Sequence, residues 1–115
     1  EGARLAEKMG VDVAKMIEVF NVSSAFSYAS LHRFPNNILN GSWNAQARIY
    51  NPYKDVGLAV AIGKSLGADV SYAERTYEFL QMAVERGMIE EDYSHLYRDW
   101  YEIKKVKIGK KKARR

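Results

Sequence analysis

The sequence predicts an all-α protein, a single helical bundle of about six helices. Apolar residues recur at three- and four-residue intervals along most of the chain, the spacing of one face of a helix. Glycines follow several of these runs, where a helix can end in the left-handed conformation. No stretch alternates polar with apolar residues as a half-buried strand does.

Taken in order, Leu5 and Met9 belong to a first helix that Gly10 stops. Asp12 is placed to cap a short second helix with Val13, Met16, Ile17 and Phe20 on one face, closed by Asn21. Ser23 or Ser24 then caps a third segment carrying Phe26, Tyr28 and Leu31, and Pro35 ends or bends it. Residues 35–47, with Asn36-Asn37 and Asn40-Gly41-Ser42, read as a loop.

Asn51-Pro52 reads as an N-cap followed by proline at the first helical position. The helix it opens carries Val56, Ala59, Val60, Ala61 and Ile62 and stops at Gly67. Gly57 and Gly63 lie inside it, each costing about 1 kcal/mol relative to alanine, which points to a helix packed closely against them. Ser71 and Glu74 have the spacing of a capping box. The helix after them presents Tyr72, Thr76, Phe79, Leu80 and Ala83 and stops at Gly87. A last helix starts near Asp92 and carries Leu96, Trp100 and Ile103.

With 115 residues the chain is long enough for one domain. It has no cysteine, so disulfides, thiolate nucleophiles and cysteine metal sites are excluded, and a reducing, cytoplasmic location is expected. His32 and His95 lack a ligand-like spacing, so no metal site is expected. No apolar run reaches the roughly 20 residues of a membrane span, no secretory signal is visible, and no membrane partner is expected. Glu1 to Lys8 read as the inside of a helix without an initiating methionine, so the chain is expected to begin partway through a longer protein.

The formal charge of +4 is unevenly placed. Eight basic residues lie between Lys104 and Arg115, leaving 10 basic against 14 acidic residues in 1–103. The body is therefore acidic, and 104–115 form a basic tail. One reading of such a chain is a helical interaction module whose tail binds nucleic acid or an acidic partner. That reading explains the tail and leaves the motifs of the body unexplained; a nucleic-acid partner is not the expectation adopted.

The residues carry little catalytic equipment of their own. Glycine-rich phosphate loops, HExxH and an ordered Ser/His/Asp set are all missing. Glu90, Glu91 and Asp92 fit an acidic helix start. Lys54-Asp55 is the pair of interest: a cation and an anion side by side in the first turn of the helix opened by Asn51, either a solvated surface pair or a pair facing a ligand cleft.

Several segments together resemble the β-hydroxyacid dehydrogenases. Leu5-Ala6-Glu7-Lys8-Met9-Gly10-Val11-Asp12 resembles the end of that family's long interdomain helix. Asn21-Val22-Ser23-Ser24 resembles its stretch of asparagine and serines. Tyr53-Lys54-Asp55-Val56-Gly57-Leu58-Ala59 resembles its lysine-aspartate-leucine-x-leucine-alanine signature, and Leu66-Gly67-Ala68-Asp69-Val70 its leucine-glycine turn. The family includes 3-hydroxyisobutyrate dehydrogenase and is related to 6-phosphogluconate dehydrogenase.

The resemblance spans roughly residues 1–103. It implies a helical C-terminal domain of the 6-phosphogluconate-dehydrogenase type, supplying part of the substrate and cofactor cleft and the contact of a homodimer. It implies NAD or NADP as cofactor, bound mainly by an N-terminal Rossmann domain, and a small hydroxy acid or semialdehyde as substrate. The family's catalytic lysine would lie upstream of Glu1, so these residues alone are expected to be inactive. By resemblance Lys54 faces the cofactor. Asp55 lines the substrate side and supports the missing lysine, and Ser24 contacts substrate. Many members place phenylalanine where Ala47 stands, and Arg48, Tyr50 and Tyr53 make this approach more polar and aromatic than usual.

Overall fold

A computed structural model describes residues 1–109. Residues 110–115, the second half of the expected basic tail 104–115, lie outside the described residues. Six α-helices and one π-helix make up the described chain, and no strand is formed among the described residues. The all-α expectation is met. Two compact units divide the chain, Glu1–Ala45 and the residues from Gln46 onward.

The first unit holds α1 (Gly2–Lys8), α2 (Val13–Asn21) and a π-helix (Ala29–Ile38). Gly10 adopts φ 76°, the left-handed stop its position suggests. Asp12 caps α2 as expected, its carboxylate accepting from Ala14 N at 3.0 Å. Ala3, Ala6 and Ile17 are the buried apolar residues of this helix pair.

The third segment departs from expectation. Neither Ser23 nor Ser24 caps it. Ser23 Oγ instead donates to Phe20 O and accepts from Ala25 N, closing the turn after α2. Ser27 and Ser30 make the reciprocal bonds that open the π-helix: Ser27 N donates to Ser30 Oγ at 2.8 Å and Ser30 N to Ser27 Oγ at 3.1 Å. Pro35 lies inside the helix, not at its end. In a π-helix the donor at position 35 would pair with the carbonyl five residues back, Ser30 O. Proline has no N–H, and that carbonyl is taken by Asn21 Nδ2 at 3.0 Å. The helix therefore continues to Ile38 and shortens the expected loop. Near the end of the π-helix Asn37 is buried, and its Nδ2 holds Asn44 O in the following loop at 2.7 Å. Trp43 and Gln46 take positive φ, an uncommon choice for residues with side chains.

The second unit contains α3 (Tyr50–Ser65), α4 (Ser71–Glu85), α5 (His95–Arg98) and α6 (Trp100–Lys104). Ile49, Ala83, Met88 and Ile103 form its core, with Phe79, Met82, Tyr93 and Leu96 packed around them. The single last helix expected from Asp92 is broken into α5 and α6. Asp92 instead turns the chain, accepting from Ser94 N at 3.0 Å.

Two expected caps are replaced. Asn51 does not cap α3, which begins one residue earlier, and Pro52 falls at its third position. The loop after α4 does the work: Ile49 N donates to Glu91 O at 2.9 Å and Tyr50 N to Ile89 O at 3.0 Å. Proline is still tolerated, because the amide it lacks belongs to the first turn, whose amides have no partner within the helix. Ser71 does not form a capping box with Glu74; the Asp69 carboxylate accepts from Ser71 N at 3.0 Å. That bond holds the Asp69 carboxyl below the usual carboxylate range.

Gly57 and Gly63 do mark a close approach. A Cβ on Gly57 would stand 2.8 Å from Tyr77 Cε1, and one on Gly63 would overlap Val70 Cγ1. The Tyr77 ring is the far end of a side chain and can swing. Val70 branches beside its own backbone and cannot. Gly63→Ala is therefore expected to destabilise the protein by about 1–3 kcal/mol, the usual cost of overpacking, and by more than Gly57→Ala. Urea unfolding of the two variants measures this, and equal midpoints for Gly63→Ala and the parent would contradict it.

Candidate functional site

α3 carries the two charged residues singled out by the sequence. Because the helix starts at Tyr50, Lys54 and Asp55 lie in its second turn, not its first. Neighbours in a helix do not face each other, but the lysine arm is long enough to fold back. Lys54 Nζ donates to Asp55 Oδ1 at 2.7 Å. The lysine and aspartate side chains remain 49% and 66% exposed, so water or a ligand reaches both. The hydrogen bond to Asp55, followed by the charge of that carboxylate, raises the Lys54 pKa above its ordinary value. The ammonium therefore persists across all neutral and mildly alkaline pH.

Arg48 and Tyr50 extend the charged edge. The Arg48 guanidinium lies 4.9 Å from the Tyr50 ring centroid, and Lys54 Nζ lies 6.0 Å from the same centroid. Arg48 also pairs with Glu90 at 2.7 Å, which ties the edge to the loop that starts α3. Two cations thus lie against one aromatic ring, and each is balanced by a carboxylate that is itself exposed. Exposed pairs of this kind are weakly held, so an incoming anion can take over either cation without leaving a buried charge behind. Sequence reasoning noted Arg48 and Tyr50 as a departure from a pattern but missed Glu90, whose partner is distant along the chain.

Behind this edge Tyr53 stacks on Tyr77, with ring centroids 5.3 Å apart and planes 12° from parallel. The hydrogen bond with Tyr53, which favours the protonated phenol, and partial burial push the Tyr77 phenol up to about 12. A raised phenol pKa means the folded state holds the proton more tightly than the unfolded chain. The stabilisation is complete below the ordinary phenol value of 10.0 and is lost as pH rises toward about 12. An ultraviolet titration is expected to show a phenol ionising near that pH, absent in Tyr53→Phe; an unchanged titration of that variant would refute the assignment.

Ser24, the third residue singled out, belongs to the first unit. It is exposed in the turn between α2 and the π-helix, and the bonds that shape this turn come from Ser23, Ser27 and Ser30. Among the described residues no group of three or more histidine, aspartate or glutamate side chains could hold a metal ion, and no helix is long and apolar enough to cross a membrane.

Residues 1–100 match the family described as NAD-binding of NADP-dependent 3-hydroxyisobutyrate dehydrogenase. The chain belongs to this family. No curated protein and no solved structure matches it. Membership in the 3-hydroxyisobutyrate dehydrogenase family links the chain to NAD(P)-dependent dehydrogenases, and the match takes in the first unit and most of the second.

Proposed function

We propose that the chain is the helical C-terminal domain of an NAD(P)-dependent dehydrogenase acting on a β-hydroxy acid or semialdehyde, akin to the corresponding domain of 6-phosphogluconate dehydrogenase. The observation that carries this reading is the exposed Lys54–Asp55 pair on α3, beside Tyr50 and Arg48, in a chain of that family. Lys54 offers a permanent cation to the cofactor. Asp55, released from it, accepts a hydrogen bond from the substrate hydroxyl or from a catalytic lysine outside this chain. The bound nicotinamide supplies or accepts the hydride. Arg48 and the aromatic rings make this approach more polar than a small aliphatic acid requires, and a larger acid is the favoured substrate. The test is turnover by the intact enzyme across a panel of β-hydroxy acids and semialdehydes with each cofactor. Robust oxidation of at least one hydroxy acid supports the reading; inactivity on all of them with both cofactors, by an enzyme that binds NAD(P)H, overturns it.

The same reading includes a homodimer. Leu58 and Ile62 on α3 and Leu66 at its C-cap repeat every four residues and are 61%, 50% and 77% exposed. The face of α3 toward α4 instead carries Val60 and Gly63, both buried. An apolar stripe of this length is normally covered by a partner, and homo-oligomers most often close on a two-fold axis. Sedimentation at micromolar concentration is expected to show a dimer of the 13.1 kDa chain, weakened by Ile62→Glu. A monomer throughout would remove this part of the reading.

A further inference from the structure

The turn after the π-helix brings a reaction within reach of the chain itself. Asn40 is followed by Gly41, whereas the other asparagines, Asn21, Asn36, Asn37, Asn44 and Asn51, precede valine, asparagine, isoleucine, alanine and proline. A glycine has no Cβ to shield its amide nitrogen from the preceding side chain. Attack of the Gly41 nitrogen on Asn40 Cγ forms a five-membered succinimide. The Cγ–Nδ2 bond breaks, and the amide leaves as ammonia with the proton from Gly41. Water then opens the ring at either carbonyl, giving aspartate or isoaspartate at position 40.

In the folded turn every group this reaction needs is already engaged. Gly41 N, the nucleophile, donates to Ile38 O at 3.0 Å. Asn40 Nδ2, the leaving group, donates to Asn36 O at 2.6 Å, and Oδ1 accepts from Ser42 N at 3.0 Å. Ser42 Oγ adds a second bond to Asn36 O at 3.1 Å. Gly41 sits at φ 74°, so the turn depends on the same residue that makes the reaction possible. Asn40 is nonetheless exposed, and water reaches it freely.

We propose that Asn40 is a self-modification site controlled by this turn: its amide persists while the turn is closed and is lost to deamidation when the turn opens. The product does not rebuild the turn. A carboxylate at position 40 cannot donate to Asn36 O, and it sets a negative charge at the carbonyl end of a helix, where the dipole opposes it.

The test incubates the protein in mildly alkaline buffer with and without urea and maps the tryptic peptide 34–48 by fragmentation mass spectrometry. Conversion at Asn40 is expected to be about tenfold or more slower in the folded protein, an opening equilibrium of that size being ordinary for a surface turn. Ser42→Ala, which loses one bond to Asn36 O, is expected to move the folded rate toward the unfolded one. Equal rates in both conditions, or faster conversion of Asn37 or Asn44 in urea, would overturn the proposal. In Asn40→Asp the amide hydrogens of Gly41 and Ser42 are expected to exchange at least about tenfold faster than in the parent; unchanged exchange would overturn the claim that the product cannot re-form the turn.

Discussion

Ile49→Ala is expected to cost about 2–5 kcal/mol, the range for removing a large aliphatic side chain from a packed core. Ile49 is completely buried among Ala83, Met88 and Ile103, and its backbone amide also holds Glu91 O. The substitution keeps that amide but empties the space at the centre of the second unit. A domain of this size has about 5–15 kcal/mol in total, so the variant is expected to unfold at a much lower urea concentration with an unchanged slope. Ile103→Ala, equally buried at the far end of the same cluster, should behave alike. A loss under about 1 kcal/mol at both sites, below the range seen for such truncations, would mean that the cluster is not the core.

The second large effect concerns function and rests on the proposed dehydrogenase. In the intact enzyme Lys54→Ala is expected to weaken cofactor binding about tenfold to a hundredfold, the range for losing a hydrogen bond to a charged group. Its effect on kcat should be smaller. Asp55→Ala is expected to lower kcat by a similar factor while leaving cofactor binding nearly intact, because the carboxylate serves the substrate side. Both residues are exposed, so neither variant should shift the unfolding midpoint appreciably. Fluorescence titration with NAD(P)H and steady-state kinetics separate the two roles. Kinetics indistinguishable from the parent in both variants would reduce the pair to surface decoration.

The two kinds of helix boundary were not equally legible in the sequence. Stops were clear: Gly10, Gly67 and Gly87 all take positive φ where the pattern placed the ends of helices. A stop depends on one residue's own backbone freedom. Starts depend on whatever acceptor or donor arrives nearby, and several residues of the same chemistry compete for that place. Asp69 displaced Ser71, and Ser27 with Ser30 displaced Ser23 and Ser24. At α3 the decisive partners, Ile89 and Glu91, lie some forty residues away, where no local pattern could reveal them. Pro35 misled for a related reason: its missing donor matters only if the carbonyl it would serve is left alone, and Asn21 occupies that carbonyl.

The same contrast covers the site. Lys54 and Asp55 were visible because they are adjacent and stand in a recognisable run of residues. Arg48 was visible but its anchoring was not, since Glu90 joins it only through the fold. Ser24 was singled out with Ser23, yet the structure gives them different surroundings: Ser23 is committed to the end of α2, while the turn around Ser24 is shaped by its neighbours.

The borrowed start of α3 also bears on the order in which the second unit assembles. Most of α3 and α4 needs only contacts within a helical hairpin, which form quickly. The turn at Ile49 and Tyr50 must wait for Ile89 and Glu91, a long chain closure with a correspondingly larger entropic cost. It is completed after the hairpin, as the Ile49 side chain enters the core among Ala83, Met88 and Ile103 and locks the start of α3 in place. Lys54 stands one turn beyond that anchored start, so the position of the cation is set by a loop some forty residues further along the chain.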